Sequence, residues 1–403
     1  MTASRRVAAV DIVRALAMAL MMIDHVREFF FLHRQVADPV DLHASGLALF
    51  FTRAASHICA PAFVLLAGLA VAFRRDRRGD GLGATARQLV RRGLLLILLE
   101  VTLVNFAWTF RFSPAIIYLQ VIWAIGLSMI ALAGLIHLPW GALLATSLVI
   151  ILGHDTLTAV GPRGDTFAAF FWSVLHHRAR FALTDAFTLR VSYPVLPYVG
   201  VIGLGYALGR LYAGRLSPAT RRAWLGGAGT ACLVLFLILR PPNLYGDPGR
   251  FEPGGSPLAT LASLLNTTKY PPSPLFLLMT LGPTFILLAV AERFEGRFPA
   301  AVARFGAAPM LYYLLHLYLL HASNAIAAVS IGTAGLFSFD RVTSVWAATL
   351  AYLAVAGPLT VWLARWGRQA ATPPAPSLRD EPASPPRRPR GSNGDAPRVT
   401  KQG

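Results

Sequence analysis

A charged or imidazole side chain inside an apolar run costs roughly 3 kcal/mol or more in lipid unless it is paired or wet, so such residues are the first candidates for chemistry. The densest set is Asp11, Arg14, Asp24 and His25, all within residues 8 to 31. On a helix turning about 100° per residue, Asp11, Arg14, Met18, Met22 and His25 share one face while Asp24 points elsewhere. Asp11 and Arg14, three apart, are placed to pair. His25 follows about 21 Å farther along, at 1.5 Å per residue. Its imidazole titrates near neutrality and suits a general base or a transient acyl acceptor. His57 opens the next apolar run just before Pro61, whose missing N–H is tolerated at a helix start. This spacing predicts His57 at the depth of His25, with the two histidines forming a proton-handling site between adjacent helices. The plainer reading is an interhelical clamp for Asp11 and Arg14 and interfacial placement for both histidines.

Glu100 and Asn105 sit inside a third run, where Glu100 needs a partner and Arg14 and Arg92 are the candidates. In Tyr312-Tyr313-Leu-Leu-His316-Leu-Tyr318-Leu-Leu-His321, His316 shares a helix face with Tyr312, and Tyr318 with His321. The stretches Asn243-Leu-Tyr-Gly-Asp247-Pro and Asn266-Thr-Thr-Lys269-Tyr-Pro-Pro-Ser273 combine turn formers with an Asp/Lys charge pair. They read as a lid or as a tight connection. His33 and His43 read as loop residues. P-loop, H-E-x-x-H and G-x-S-x-G signatures are absent, as is a G-x-G-x-x-G opening a helix, so nucleotide hydrolysis and the common hydrolase routes lack support. Cys59 and Cys232 have no CxxC or histidine at ligand spacing, and neither a disulfide nor a bound metal is expected.

The elements that must hold these residues are membrane helices. The 403 residues are 55% hydrophobic and only 14% charged, with mean hydropathy +0.55, far from soluble composition. Apolar runs near 8 to 31, 55 to 73, 93 to 112, 116 to 136, 139 to 153, 194 to 213, 221 to 240, 274 to 292, 303 to 325 and 343 to 364 predict about ten spans. The fold expected is an all-α polytopic bundle over residues 1–369, with 166 to 177 interfacial or re-entrant. From 370 to 403 the chain is Pro-, Ser- and Arg-rich and is expected to be a disordered cytoplasmic tail. Arginines collect in three short loops: Arg74, Arg75, Arg77, Arg78, Arg87, Arg91 and Arg92 in one, Arg210, Arg215, Arg221 and Arg222 in another, and Arg293, Arg297 and Arg304 in the third. Placing them inside gives an N-in, C-in topology with loops 154 to 193 and 241 to 273 outside. That distribution accounts for the net charge of +18 without a nucleic-acid partner. Asp11 and Arg14 interrupt the first run, which therefore reads as a retained span rather than a cleaved signal. Abundant Arg, Ala, Gly and Pro match a GC-rich bacterial genome and an inner-membrane location. A homodimer is compatible with the sequence.

The opening Arg6-Val-Ala-Ala-Val-Asp11-Ile-Val-Arg14-Ala15, followed by Met-Met-Ile-Asp24-His25-Val-Arg-Glu-Phe-Phe, resembles the first span of the heparan-alpha-glucosaminide N-acetyltransferase-like family. The likeness continues in His57-Ile-Cys-Ala-Pro61-Ala-Phe-Val-Leu-Leu-Ala-Gly68, in Leu119-Gln-Val-Ile-Trp-Ala-Ile-Gly126, in both loop stretches and in Tyr313 to His321. It is similar more distantly to the acyltransferase-3 family of membrane O-acetylases. The resemblance implies acetyl transfer from cytosolic acetyl-CoA, the donor substrate, to an extracytoplasmic amino sugar or related glycan, with a histidine at its centre. It implies His25 or His57 as base or acyl acceptor, with Asp11 and Arg14 alongside. Glu100, Asn105, His316, Asp247 and Lys269 are then expected to bind the acceptor, and Arg74, Arg75, Arg91 and Arg92 the CoA phosphates. Two departures stand out. Ala15 replaces the glycine of the family's Asp-x-x-Arg-Gly, and the lysosomal enzyme's catalytic histidine falls in the loop before Pro-x-Phe-Val, where this chain offers His33, His43 and His57. The competing reading is a secondary transporter of an anionic or proton-coupled solute, which requires helices broken at mid-membrane with facing half-helix N-termini.

Overall fold

Ser-Pro dipeptides mark three helix starts and show how the sequence sets local structure. The hydroxyls of Ser217, Ser256 and Ser273 accept the backbone N–H three residues on, and the following proline needs no N–H of its own. They open α10 (Pro218–Leu239), α11 (Pro257–Leu265) and α12 (Pro274–Ala291). The structure, a computed structural model, describes residues 3–31, 42–162, 164–214, 216–332, 337–339 and 341–370. Ahead of those helices come α1 (Ala3–Phe30), α2 (Leu42–Ala55), α3 (Cys59–Arg78) and α4 (Leu82–Leu99). A π-helical turn, Glu100–Val104, joins α4 to α5 (Asn105–Thr109). Next are α6 (Val121–Leu135), α7 (Trp140–Gly153), α8 (Phe167–Leu175) and α9 (Leu196–Leu208), while α13 (Arg297–Gly306), α14 (Pro309–Ile331) and α15 (Val342–Ala370) complete the set. The chain divides into Met1–Ala364 and Arg365–Gly403; of the second unit, Arg365–Ala370 are described, as the last turns of α15.

The chain is mostly helical, and among the described residues six helices are long and apolar enough to cross a bilayer: Gly46–Arg78, Trp140–Leu157, Pro218–Leu239, Pro274–Ala291, Pro309–Ile331 and Val342–Gly367. The count of about ten is not reached by that measure. α1 carries too much charge, and α6 and α9 are shorter. Helices alone do not describe the fold. β1 (Ile116–Leu119), β2 (Ala179–Thr184) and β3 (Phe187–Val191) form a sheet of order β1-β3-β2, with β1 parallel and β2 antiparallel to β3. Thus the run expected to span from 116 begins as a strand, and part of loop 154 to 193 is sheet.

α1 lies at the centre, packed on α3, α12, α13 and α14, while α3 also packs on α9, and α10 on α12. The α3–α9 crossing is close because two glycines leave it room. A Cβ on Gly68 would sit 2.1 Å from the Ile202 carbonyl oxygen, and one on Gly205 2.0 Å from that of Leu65. α10 and α12 are tied by a two-point ion pair, Arg221 Nε to Glu292 Oε1 and Nη2 to Oε2, each 2.8 Å.

Candidate active site

The register of α1 on α3 sets the depth of every candidate residue. Arg14 Nη2 donates to the Leu66 carbonyl at 3.2 Å and the Cys59 thiol to that of Ala17 at 3.3 Å, so the two helices run antiparallel. Asp11 pairs with Arg14 at 2.6 Å, and the Asp11 carbonyl meets α13 where a Cβ on Gly306 would lie 1.8 Å away. This pair clamps three helices at one end of α1. Met18 and Met22, fully buried, fill the α1 face between it and His25. Asp11 and Arg14 are therefore not brought to the histidines, and the continuous polar face expected along α1 is interrupted by packed thioethers.

At the other end of α1, Asp24 accepts from Arg27 Nε at 3.2 Å and from Arg53 of α2, while Arg27 also reaches Glu28 at 2.7 Å. His25 Nδ1 lies 2.6 Å from His316 Nε2, with the two rings parallel to within 1°. His316 Nδ1 lies 2.7 Å from the Tyr312 carbonyl. A carbonyl only accepts, so Nδ1 of His316 carries its proton. In the neutral pair His316 Nε2 is then an acceptor, His25 Nδ1 the donor, and His25 Nε2 a bare lone pair. Among the described residues that nitrogen has no hydrogen-bond partner. Trp108 and Tyr313 stand edge-on to the His25 ring, at 5.4 and 6.0 Å between centroids. The expected His25–His57 pair is replaced by His25–His316, which joins α1 to α14.

His57, in the turn before α3, is 2% exposed and neither ring nitrogen has a partner among the described residues. Phe276 of α12 flanks it at 5.4 Å. An unsatisfied buried polar group costs about 1–3 kcal/mol, a burden that sites retain and cores shed. By the α1–α3 register it lies about 9 Å short of the His25 level. His33 falls outside the described residues, and of His43 only its place in α2 is described.

Lys269 and Tyr270, in the loop before α12, lie at this end. Lys269 forms no ion pair with Asp247; instead the Asp247 carboxylate accepts from the backbone N–H groups of Gly249 and Thr268 and from the hydroxyls of Thr268 and Ser273. Asp247 is thus the knot of the loop. The Lys269 ammonium lies 5.5 Å over the Tyr270 ring, within electrostatic reach of Asp24, His25 and His57. Tyr270 donates to the Tyr193 hydroxyl at 3.0 Å, and the Arg178 guanidinium sits 4.5 Å over its ring. Burial pushes the Tyr270 phenol up, but the Lys269 and Arg53 cations hold it below the ordinary tyrosine value. The sequence pattern singled out neither Arg53, Tyr193 nor Arg178; Arg53, a cation inside an apolar helix, carried the one usable signal.

Glu100 is fully buried, and its partner is neither Arg14 nor Arg92. Oε2 accepts the Trp123 N–H at 2.9 Å, at the start of α6, while Oε1 has no partner among the described residues. The Asn105 side chain accepts from Tyr118 N at 3.3 Å and so anchors β1. Both hold elements in place and neither meets the histidine pair.

A second site lies at the arginine-bearing end. Val71, Arg74, Arg75, Asp80, Thr85, Gln88, Leu89 and Arg92 line a narrow cleft. Arg75 donates to the Tyr206 hydroxyl at 2.7 Å, and Arg74 Nε is buried without a partner. Arg91 is exposed and does not line it. Along α1 and α3, His25 to Ala17 and Cys59 to Arg74 together make about 34 Å at 1.5 Å per residue, close to a bilayer's hydrocarbon thickness.

A family model described as heparan-alpha-glucosaminide N-acetyltransferase, catalytic, matches residues 6–241. No curated protein matches the chain. The matched stretch holds Asp11, Arg14, His25, His57, Glu100 and the arginine cleft, and stops short of Asp247, Lys269 and His316.

Proposed function

The chain belongs to the heparan-alpha-glucosaminide N-acetyltransferase catalytic family, and from that premise we propose that it carries acetyl groups from cytosolic acetyl-CoA to an extracytoplasmic amino sugar or related glycan. A membrane acetyltransferase is what the family and the six long apolar helices indicate; donor, acceptor and sidedness are the proposal. By the positive-inside rule the arginine-bearing end faces the cytoplasm, with both termini there, in a bacterial inner membrane. Arg74, Arg75 and Arg92 hold the CoA phosphates through charge-assisted hydrogen bonds. The observation that carries the reading is the bare Nε2 of His25, fixed by a second histidine whose own tautomer is set by a carbonyl.

Because about 34 Å separates the two stations, transfer proceeds in two steps. A ring nitrogen of His57 attacks the thioester carbonyl; the C–N bond forms, the C–S bond breaks, and the imidazole proton leaves with the thiolate as CoA–SH. The acceptor amine then attacks the acetyl-imidazole; the new amide C–N bond forms, the bond to the His57 ring breaks, and the amine proton, relayed through water toward His25 Nε2, returns to His57. The test is purified protein incubated with radiolabelled acetyl-CoA and glucosamine. His57→Ala is expected to lose protein-bound label, and His25→Ala to keep it while delivery to the sugar drops about 10²- to 10⁴-fold. Undiminished delivery in both variants would overturn the assignment.

A further inference from the structure

The small sheet has two chemically opposed faces. Registers Arg180↔Arg190 and Tyr118↔Arg190 place Tyr118, Arg180 and Arg190 on one face. Leu119, Phe181 and Val191 alternate onto the other and pack with Ala169 of α8. Arg178, just before β2, continues the basic face and covers Tyr270, which joins it to the Lys269 end of the candidate active site. Like charges directly opposite on neighbouring strands are destabilising. Yet among the described residues no carboxylate pairs with Arg178, Arg180 or Arg190, and none of the three makes a side-chain hydrogen bond. Burial, with Arg178 and Arg180 nearby, holds Arg190 below the ordinary guanidinium value, against a smaller opposing pull from Tyr118 and from the Glu28 carboxylate of α1. Such a face is completed by an anion.

The neighbouring elements say where that anion comes from. Phe167, Phe171 and Leu175, four apart on α8, are all exposed, as are Phe112 before β1 and Leu183 on β2. A sheet with an arginine face, backed on its apolar face by a helix with an exposed apolar stripe, matches an element lying in the headgroup layer. We propose that Arg178, Arg180 and Arg190 hold the phosphate of a bilayer lipid, so that the acceptor reaches His25 as the headgroup of a phosphate-bearing lipid. The α8 stripe sits in the acyl layer below it. This rests on the acetyl-transfer reading for the word acceptor, but the phosphate site itself does not.

The test titrates the full chain in detergent, without acetyl-CoA, with short-chain phosphatidic acid, and separately with inorganic phosphate, reading intrinsic fluorescence. Phosphatidic acid is expected to bind, with affinity falling roughly five- to tenfold in the exposed Arg180→Gln variant and also in Phe167→Ser. Inorganic phosphate binding as tightly, or no loss in Arg180→Gln, would overturn the proposal. A variant that elutes and melts as the parent does yet loses binding supports it. No lipid binding in protein that still acetylates glucosamine would overturn this inference alone, whereas binding in protein that transfers no acetyl would overturn only the enzymatic reading.

Discussion

Tyr312 offers His316 a carbonyl that can only accept, and from that constraint the protons of two rings follow down to the free Nε2 of His25. In the proposed role His316 acts only through His25, so the two substitutions are not expected to add. His316→Ala should slow acceptor acetylation about 10- to 100-fold, the range seen when the partner that orients a functional histidine is removed. The His25→Ala/His316→Ala double variant should be no slower than His25→Ala alone. Steady-state rates of the three variants check this, and multiplicative losses would mean that His316 contributes independently. The Asp11–Arg14 pair was legible in the sequence because it is local, three residues apart on one helix. The His25–His316 contact spans 291 residues of chain, and no periodicity in either helix shows which of ten histidines meets which. Position drew attention to both residues; only the packing of α1 on α14 makes them partners.

At the scale of elements, the helix crossings set how precisely these side chains can be held. α3 carries Cys59, Arg74 and Arg75, and its crossing with α9 closes over Gly68 and Gly205. Gly205→Ala is expected to lower stability by about 1–3 kcal/mol through overpacking, seen as a lower melting temperature in detergent. Gly227→Ala, with nothing within 4 Å of its added Cβ, should be neutral or slightly stabilising. Equal melting of the two variants would contradict the close crossing. Apolar runs revealed the helices but not the sheet. Ile116-Ile-Tyr-Leu119 is apolar and β-prone, and a short run of that kind leaves strand and helix indistinguishable by pattern. β2 and β3 were hidden by their arginines, which read as a plain outer loop until the register put Arg180 opposite Arg190. Glu100 was legible as a residue in need of a partner. That the partner would be the first turn of α6 depends on the π-helical turn that ends α4, which leaves no mark in composition.

At the scale of the whole molecule, two kinds of chemistry are separated along α1 and α3. Arginines, with Asp80 among them, line a cleft at one end, and the pair of half-buried His25 and buried His316, with aromatic and cationic side chains nearby, stands at the other. About 34 Å of helix lies between them, with Met18 and Met22 filling the α1 face along the way. Thioether side chains repack easily, and in the proposed mechanism the polar route that the sequence suggested becomes a hand-over between stations, with His57 between them. On the proposed reading, a donor held at one end and an acceptor at the other lie in different aqueous compartments. The direct test reconstitutes the protein in sealed vesicles, with radiolabelled acetyl-CoA on the arginine-cleft side only and glucosamine on the opposite side only. Labelled N-acetylglucosamine appearing in the glucosamine compartment, and lost in His25→Ala vesicles of equal protein content, is the predicted result. Label appearing only when donor and acceptor are supplied on the same side would contradict it.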